Sequence, residues 1–138
     1  MKKICLLLLI VLSMSSCLVD QSASNRTENK LVGSWLLTEK TYNGASDDLS
    51  NLVQITTYHE NTQAYESEEG FHEAQIVSTF NGFTTTEDYS YKVSREDKKL
   101  FLSIGGATSE ITKLTNNKLV LEAKTITDHF VLKFERTE

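Results

Sequence analysis

The sequence contains no proline, one tryptophan and only two cysteines among its 138 residues. Two cysteines are too few for a disulfide-dense scaffold or for a zinc site with four cysteine ligands. Proline removes a hydrogen bond from a β-ladder, so its absence is compatible with a chain rich in strands. The net charge of −5 lacks the basic character that is usual in nucleic-acid-binding proteins. With 39% hydrophobic and 24% charged residues, the composition predicts one globular domain.

The N-terminal segment has the pattern of an export signal. Two lysines precede an apolar run over residues 4–12, which is shorter than the ~20 residues that a membrane-spanning helix needs. Two serines then stand directly before Cys17. This arrangement resembles the lipobox of bacterial lipoproteins, although Met14 occupies a position where those signals usually carry leucine or another aliphatic residue.

The resemblance to lipoproteins implies a division of the chain. Residues 1–16 would be the signal peptide, and residues 17–30 would be a lipidated N-terminus followed by a flexible polar tether. Cys17 would carry the lipid, including acyl chains such as palmitate, because the diacylglycerol is attached through sulfur. We therefore expect a lipid-anchored protein of the cell envelope, in the outer membrane of a Gram-negative bacterium. The alternative interpretation is an ordinary secretory signal in which Cys17 is incidental.

From residue 31 onward the sequence has the alternation and the turn spacing of short β-strands. Threonine, valine, isoleucine, tyrosine and phenylalanine dominate these segments, and no segment keeps a helical period over three turns. The pattern predicts strands at 32–42, 52–59, 62–67, 72–80, 84–93, 99–104, 108–114, 118–124 and 129–136. We therefore predict an all-β fold, an antiparallel up-and-down meander of eight to nine strands. Closure into a barrel would remove its free edges.

Both ends of this predicted domain carry residues that resemble a known family. Gly33 and Trp35 form a Gly-x-Trp at the start of the first strand, and Arg136 closes the last strand. This combination resembles the lipocalin-like (calycin-type) lipoproteins of bacteria, and residues 111–121 resemble their strand–turn–strand pattern. The resemblance implies a lipocalin-like barrel over residues 31–138 in which the arginine stacks on the tryptophan. The sequence lacks the disulfide and C-terminal helix of the larger lipocalins, and the alternative is a core tryptophan in another β-sandwich.

Aromatic residues concentrate in the second to fifth predicted strands. An eight-stranded barrel has an interior just wide enough to be filled by side chains or to hold one small ligand. Tyr58, Tyr65, Phe80 and Tyr91 are the candidate ligand-binding residues on this basis. The alternative is that these rings fill the core or cover an outer face.

No pattern in the sequence indicates catalysis, a metal or a cofactor. His59, His72 and His129 have no metal-binding spacing, and we interpret them as exposed side chains near strand ends. The acidic run around residues 66–69 is interpreted as a solvated rim, and Gly105-Gly106 as a hairpin turn. The chain is therefore predicted not to be an enzyme.

These observations lead to two hypotheses about function. The first is a membrane-anchored, non-catalytic lipocalin-like protein that binds a small apolar molecule in its barrel. The alternative is a barrel plugged by its own side chains that serves as an interaction module in an envelope protein complex. Neither hypothesis involves nucleic acid.

Overall fold

The computed structural model describes residues 23, 25–60 and 71–137 of the chain. Residues 25–31 are helical, and β-strands make up most of the remaining described part. The strands are β1 (Gly33–Tyr42), β2 (Ala45–Ser46), β3 (Leu52–Tyr58), β4 (His72–Phe80), β5 (Phe83–Glu96), β6 (Lys99–Ile104), β7 (Ala107–Leu114), β8 (Lys118–Lys124) and β9 (His129–Arg136). No helix in the described ranges is both long and apolar enough to cross a membrane.

Eight of these strands close into an antiparallel barrel. From β3 to β9 each strand pairs with the next, β3 pairs with β1, and β9 returns to pair with β1. The two-residue strand β2 lies outside the ring and pairs only with the end of β1, through Thr41 and Tyr42. The all-β meander and its closure, which the sequence predicted, are confirmed by this topology.

The barrel has two ends, which we call lower and upper. Because the strands alternate in direction, successive turns lie at opposite ends. The lower end carries the N-terminal helix, the turn at residues 97–98 and the turn at residues 115–117. The upper end carries the loop at residues 43–51 and the turns at residues 81–82, 105–106 and 125–128.

Alternation along the strands places one set of side chains inside the barrel. Successive residues of a strand point to opposite faces, so residues two apart share a face. The largest fully buried side chains are Trp35, Tyr58, Tyr91, Leu31, Leu102 and Leu119. Burying an apolar side chain of this size contributes about 1.5–3 kcal/mol to folding. The core is densest in the lower half of the barrel, where these residues lie.

The hairpin between β4 and β5 shows how turn chemistry sets the register. Asn81 and Gly82 have φ angles of 50° and 83°, the conformation of a two-residue type I′ turn. Asparagine tolerates this left-handed conformation better than most residues, and glycine adopts it without strain. The turn pairs Phe80 with Phe83 and places nine residues of β4 opposite nine of β5.

The predicted strands differ from the observed ones mainly at β2 and β5. The strand predicted at 62–67 lies outside the described residues. β2 was not predicted, and β5 continues to Glu96, three residues beyond its predicted end. The flexible tether predicted for residues 17–30 differs at its C-terminal part, because residues 25–31 are helical and Thr27 is buried.

Candidate functional site

The lower end of the barrel is closed by a stack of Arg136 on Trp35. The guanidinium carbon lies 4.2 Å from the centre of the indole ring, within the range of a cation–π contact. Trp35 is fully buried, and its Nε1–H donates to the carbonyl of Leu31 at 2.7 Å. The indole therefore packs in the core and also holds the end of the N-terminal helix.

The Arg136 guanidinium also binds three backbone carbonyls around this stack. Its Nη1 donates to Val32 at 2.8 Å, its Nη2 donates to Lys30, and its Nε donates to Asn116. One side chain thus links the last strand, the turn before β8 and the segment that precedes β1. These bonds satisfy carbonyls that the helix and the turn leave without partners.

Gly33 is required where the chain enters β1. Its φ is +119°, a conformation that side chains other than glycine rarely adopt. A Cβ at this position would lie 2.5 Å from Arg136 Nη1, which is closer than atoms can approach. The Gly-x-Trp pattern and Arg136 therefore form one structural unit, as the family resemblance implied.

The lower half of the interior is filled by two tyrosines. The rings of Tyr58 and Tyr91 meet edge-to-face with centroids 5.0 Å apart, and both side chains are buried. The Tyr91 hydroxyl donates to the carbonyl of His59 at 3.1 Å. Burial raises the pKa of both phenols because it disfavours the phenolate. These two rings occupy space that a ligand deep in the barrel would need.

A small polar recess separates the N-terminal helix from the barrel. Its volume is about 320 Å³, and its lining includes Glu28, His59, Glu60, His72 and Tyr91. His72 Nε2 lies 3.2 Å from Glu28 Oε2, so this pair connects the helix to β4. The His72 side chain is only 12% exposed, which corrects the prediction of an exposed histidine at a strand end. No cluster of three metal-ligating side chains occurs in the described part of the chain.

The upper end carries a group of partly exposed apolar side chains. Tyr42 and Phe130 are paired between β1 and β9, their ring centroids are 4.9 Å apart, and both are partly exposed. Leu49, Leu52 and Leu132 are partly buried against the core below them. We call these five residues the upper mouth. Leu52 shares the inner face of β3 with Tyr58, and Leu132 shares the inner face of β9 with Phe134. These two side chains of the upper mouth therefore point into the barrel.

Charged groups at the upper mouth are paired within the protein. Lys40 lies opposite Leu132 on the inner face, and its Nζ is 3.0 Å from Asp47 Oδ2. The Tyr42 hydroxyl donates to Asp128 Oδ1, and this bond raises the pKa of the phenol and lowers the pKa of the carboxyl. The mouth therefore presents apolar rings and methyl groups rather than a free charge.

Comparison with known proteins adds the family. A model of a family described as the lipocalin-like domain matches residues 31–121. The chain belongs to the lipocalin-like domain family. Its match begins at Leu31, two residues before Gly33, and it includes β1 to β7 and part of β8. No curated protein matches this lipocalin-like chain.

Of the four aromatic residues predicted to bind a ligand, the three that the structure describes do not form one site in this lipocalin-like domain. Tyr58 and Tyr91 are together in the lower core, whereas Phe80 is 56% exposed at the upper end, beside the turn that joins β4 to β5. Tyr65 and Cys17 lie outside the described residues. The aromatic cluster is therefore divided between a filled lower half and the upper rim.

Two features of this lipocalin-like domain were missed by sequence reasoning. The pair between His72 and Glu28 joins residues 44 positions apart, and no local pattern indicates it. The upper mouth was missed because its five residues come from four separate segments, namely β1, the loop at residues 43–51, β3 and β9. Within these segments they alternate with polar residues, so no local pattern groups them. A β-bulge between Leu37 and Glu39 also shifts Lys40 to the inner face, and sequence alternation does not show this shift.

Proposed function

We propose that this lipocalin-like protein binds a small apolar molecule at its upper mouth, without catalysis, while a lipid on Cys17 anchors it to the membrane. The observation that carries the ligand proposal is the contrast between the two halves of the barrel. The lower half is filled by Trp35, Tyr58 and Tyr91, and the upper half ends in partly exposed apolar side chains. Apolar concave surfaces with few polar groups are typical of small-molecule sites.

The buried side chains below the upper mouth limit the size of the ligand and how far it can enter the barrel. A molecule entering beside the paired rings of Tyr42 and Phe130 would meet Leu132 and Leu52 before it reached the buried rings below. Lys40 is held by Asp47, so a ligand would not need a negative charge to balance it. We therefore propose a compact apolar ligand that remains partly exposed at the upper end, rather than one enclosed by the barrel.

The contacts of the histidines agree with a binding function rather than catalysis. His72 lies against Glu28 and His129 lies against Glu122, with Nε2 to carboxylate distances of 3.2 and 2.7 Å. In the described segments neither of these imidazoles bonds a serine or threonine hydroxyl, the contact that an activated nucleophile requires. Lipocalin-like proteins of this kind are binding proteins, and we propose the same of this chain.

Replacing Phe130 with serine is expected to weaken binding of an apolar fluorescent probe, 1-N-phenylnaphthylamine, about tenfold. The loss of one aromatic contact removes roughly 1.5 kcal/mol of apolar burial, which corresponds to that ratio. Probe titration followed by fluorescence measures the change in Kd.

The matched control for the mouth is Phe101→Ser. Phe101 is paired with Ser94 between β5 and β6 and lies on the outer face of the barrel, two residues from Ser103. Its replacement is expected to leave the Kd of the probe unchanged. A Kd that is the same in F130S as in the wild type, with both proteins folded by circular dichroism, would contradict the proposed site. Independently of the probe, native mass spectrometry of protein purified from its own host identifies a natural ligand that remains bound.

Replacing Cys17 with serine is expected to abolish labelling by radioactive palmitate and to release the protein from the membrane fraction. The thiol is the attachment point of the proposed anchor, and more than one acyl chain is needed for stable anchoring. The matched control is Cys5→Ser, because Cys5 lies in the proposed signal peptide and would be removed from the mature chain. Membrane retention and labelling that persist in C17S would refute the anchor.

The second candidate function is an interaction module of an envelope protein complex. The filled lower half of the barrel favours it, because Tyr58 and Tyr91 leave little interior space for a ligand. Isolation of the tagged protein from solubilised membranes distinguishes the candidates. A stoichiometric protein partner together with no probe binding would support the interaction module over ligand binding.

A further inference from the structure

The upper half of β5 is paired on one side only. β4 pairs with β5 from Phe83 to Tyr91, but β6 begins to pair with β5 only at Tyr91, opposite Ile104. The turn at Gly105 then leads the chain away into β7. Residues 83–88 are exposed on both faces of the sheet, and Phe83 is 81% exposed. The β4–β5 hairpin therefore extends above β6 and has a free edge on its β5 side, while β3 pairs with β4 up to Phe80.

One hydrogen bond shows which backbone groups face this free edge. The Gly105 N–H donates to the Ser90 carbonyl at 3.3 Å, so the backbone polar groups of Ser90 point away from β4. Along an antiparallel strand this direction alternates from one residue to the next. The N–H and C=O groups of Thr84, Thr86 and Asp88 therefore also face the edge. No residue in the described segments pairs with them.

This edge lacks three of the features that protect a free edge from pairing with another chain. Proteins commonly block free edges with lysine, proline or a β-bulge. Residues 83–88 contain neither lysine nor proline, and the β4–β5 pairing runs without a register shift. The two acidic side chains are occupied within the chain, because Gln75 Nε2 donates to Asp88 at 2.9 Å and the Tyr89 hydroxyl donates to Glu87 at 2.7 Å.

We propose that this edge pairs with the same edge of a second copy of the chain, so that the protein is a two-fold symmetric dimer. The symmetry axis passes between the two copies of Thr86, which face each other. Thr84 of each copy then lies opposite Asp88 of the other, and the three edge-facing residues of each strand exchange roughly six backbone hydrogen bonds. This inference concerns assembly and goes beyond the proposed ligand binding.

The side chains of this register complement one another on both faces of the sheet. On the inner face Phe83 lies opposite Tyr89 of the second copy, and Thr85 lies opposite Glu87. Aromatic pairs and threonine pairs across strands are stabilising, whereas like charges directly opposite are destabilising. No like charges lie directly opposite each other in this register, and Phe83, the most exposed aromatic ring among the described residues, gains an aromatic neighbour. A second copy therefore provides a complementary partner for this edge.

Two opposite charge substitutions at Thr86 test the proposed dimer. In T86K two lysines, and in T86E two glutamates, would face each other across the axis, so each variant alone is expected to dimerise at least about tenfold more weakly. An equimolar mixture of T86K and T86E places opposite charges together and is expected to restore a mixed dimer. Sedimentation of the full chain in detergent micelles measures the association.

The matched control is Thr112→Lys, which adds the same charge at an exposed threonine of β7, away from the edge. It is expected to dimerise like the wild type. A wild-type protein that stays monomeric would overturn the proposal, as would a dimer that neither T86K nor T86E weakens. Failure of the mixture to form a dimer would overturn the pairing at Thr86, since both variants carry their substitution on an exposed side chain and remain folded.

Discussion

Replacement of Trp35 by alanine is expected to lower the free energy of unfolding by about 3–5 kcal/mol, the range for a buried tryptophan or phenylalanine truncated in a core. Trp35 is fully buried and shares the core with Leu37 and Phe134, so its removal leaves a cavity. The change also removes the cation–π partner of Arg136 and the donor to Leu31. Denaturant titration followed by circular dichroism measures the loss, because the chain has no other tryptophan to report by fluorescence.

Two further variants separate the contributions at Trp35. W35F keeps an aromatic ring beneath Arg136 but loses the indole donor and part of the ring volume, so its cost is expected to be smaller, about 1–3 kcal/mol. I126A removes a side chain that is fully exposed in the turn before β9, and it is expected to change stability by less than about 0.5 kcal/mol. A loss below about 1 kcal/mol in W35A would show that the stack does not close the barrel.

Replacement of Gly33 by alanine is expected to lower the free energy of unfolding by about 2–4 kcal/mol, because two costs act together. A φ of +119° is strained for any residue with a Cβ, at about 1–3 kcal/mol, and the new methyl displaces Arg136 from its stack on Trp35, at about 0.5–2 kcal/mol. The measurement is again a denaturant titration against the wild type.

Gly106 supplies the matched control for Gly33. Its φ is +84°, but a Cβ there has no atom within 4 Å, so G106A carries strain without a clash. G106A is therefore expected to cost less than G33A, about 1–2 kcal/mol. In an Arg136→Ala background the cost of G33A is expected to fall, because the displaced side chain is already absent. If G33A and G106A lowered the free energy of unfolding equally, the proposal that Gly33 makes room for the Arg136 side chain would be contradicted.

The barrel itself was largely predictable from the sequence. β6, β8 and β9 have the predicted bounds, since each is a short alternating segment between polar turns. The dipeptide Asn81-Gly82 is a strong hairpin signal in the sequence, because few residue pairs suit two successive left-handed conformations. The Gly-x-Trp and Arg136 pattern pointed to the family that the domain model then matched.

The remaining features depend on contacts between distant parts of the chain. Residues 25–30 show no helical periodicity, and the helix is held by Glu28 on His72 and by carbonyls that Arg136 binds. Alternation places Tyr58, Tyr91 and Phe80 on inner-facing positions but does not give their height in the barrel. That height decides whether a ring is buried or exposed, and the strand register sets it.

The closure of the barrel has a consequence for how the protein folds. The bond between Thr137 and Ser34 joins residues 103 positions apart, and β1 must meet β9 across this separation before the ring is complete. Folding rates fall as contacts become more distant in sequence, so this seam is expected to form late. The hairpins from β3 to β9 require only short loops and can form first. Until β9 reaches β1, the chain is an open sheet with two free edges, and each of these edges can pair with another chain.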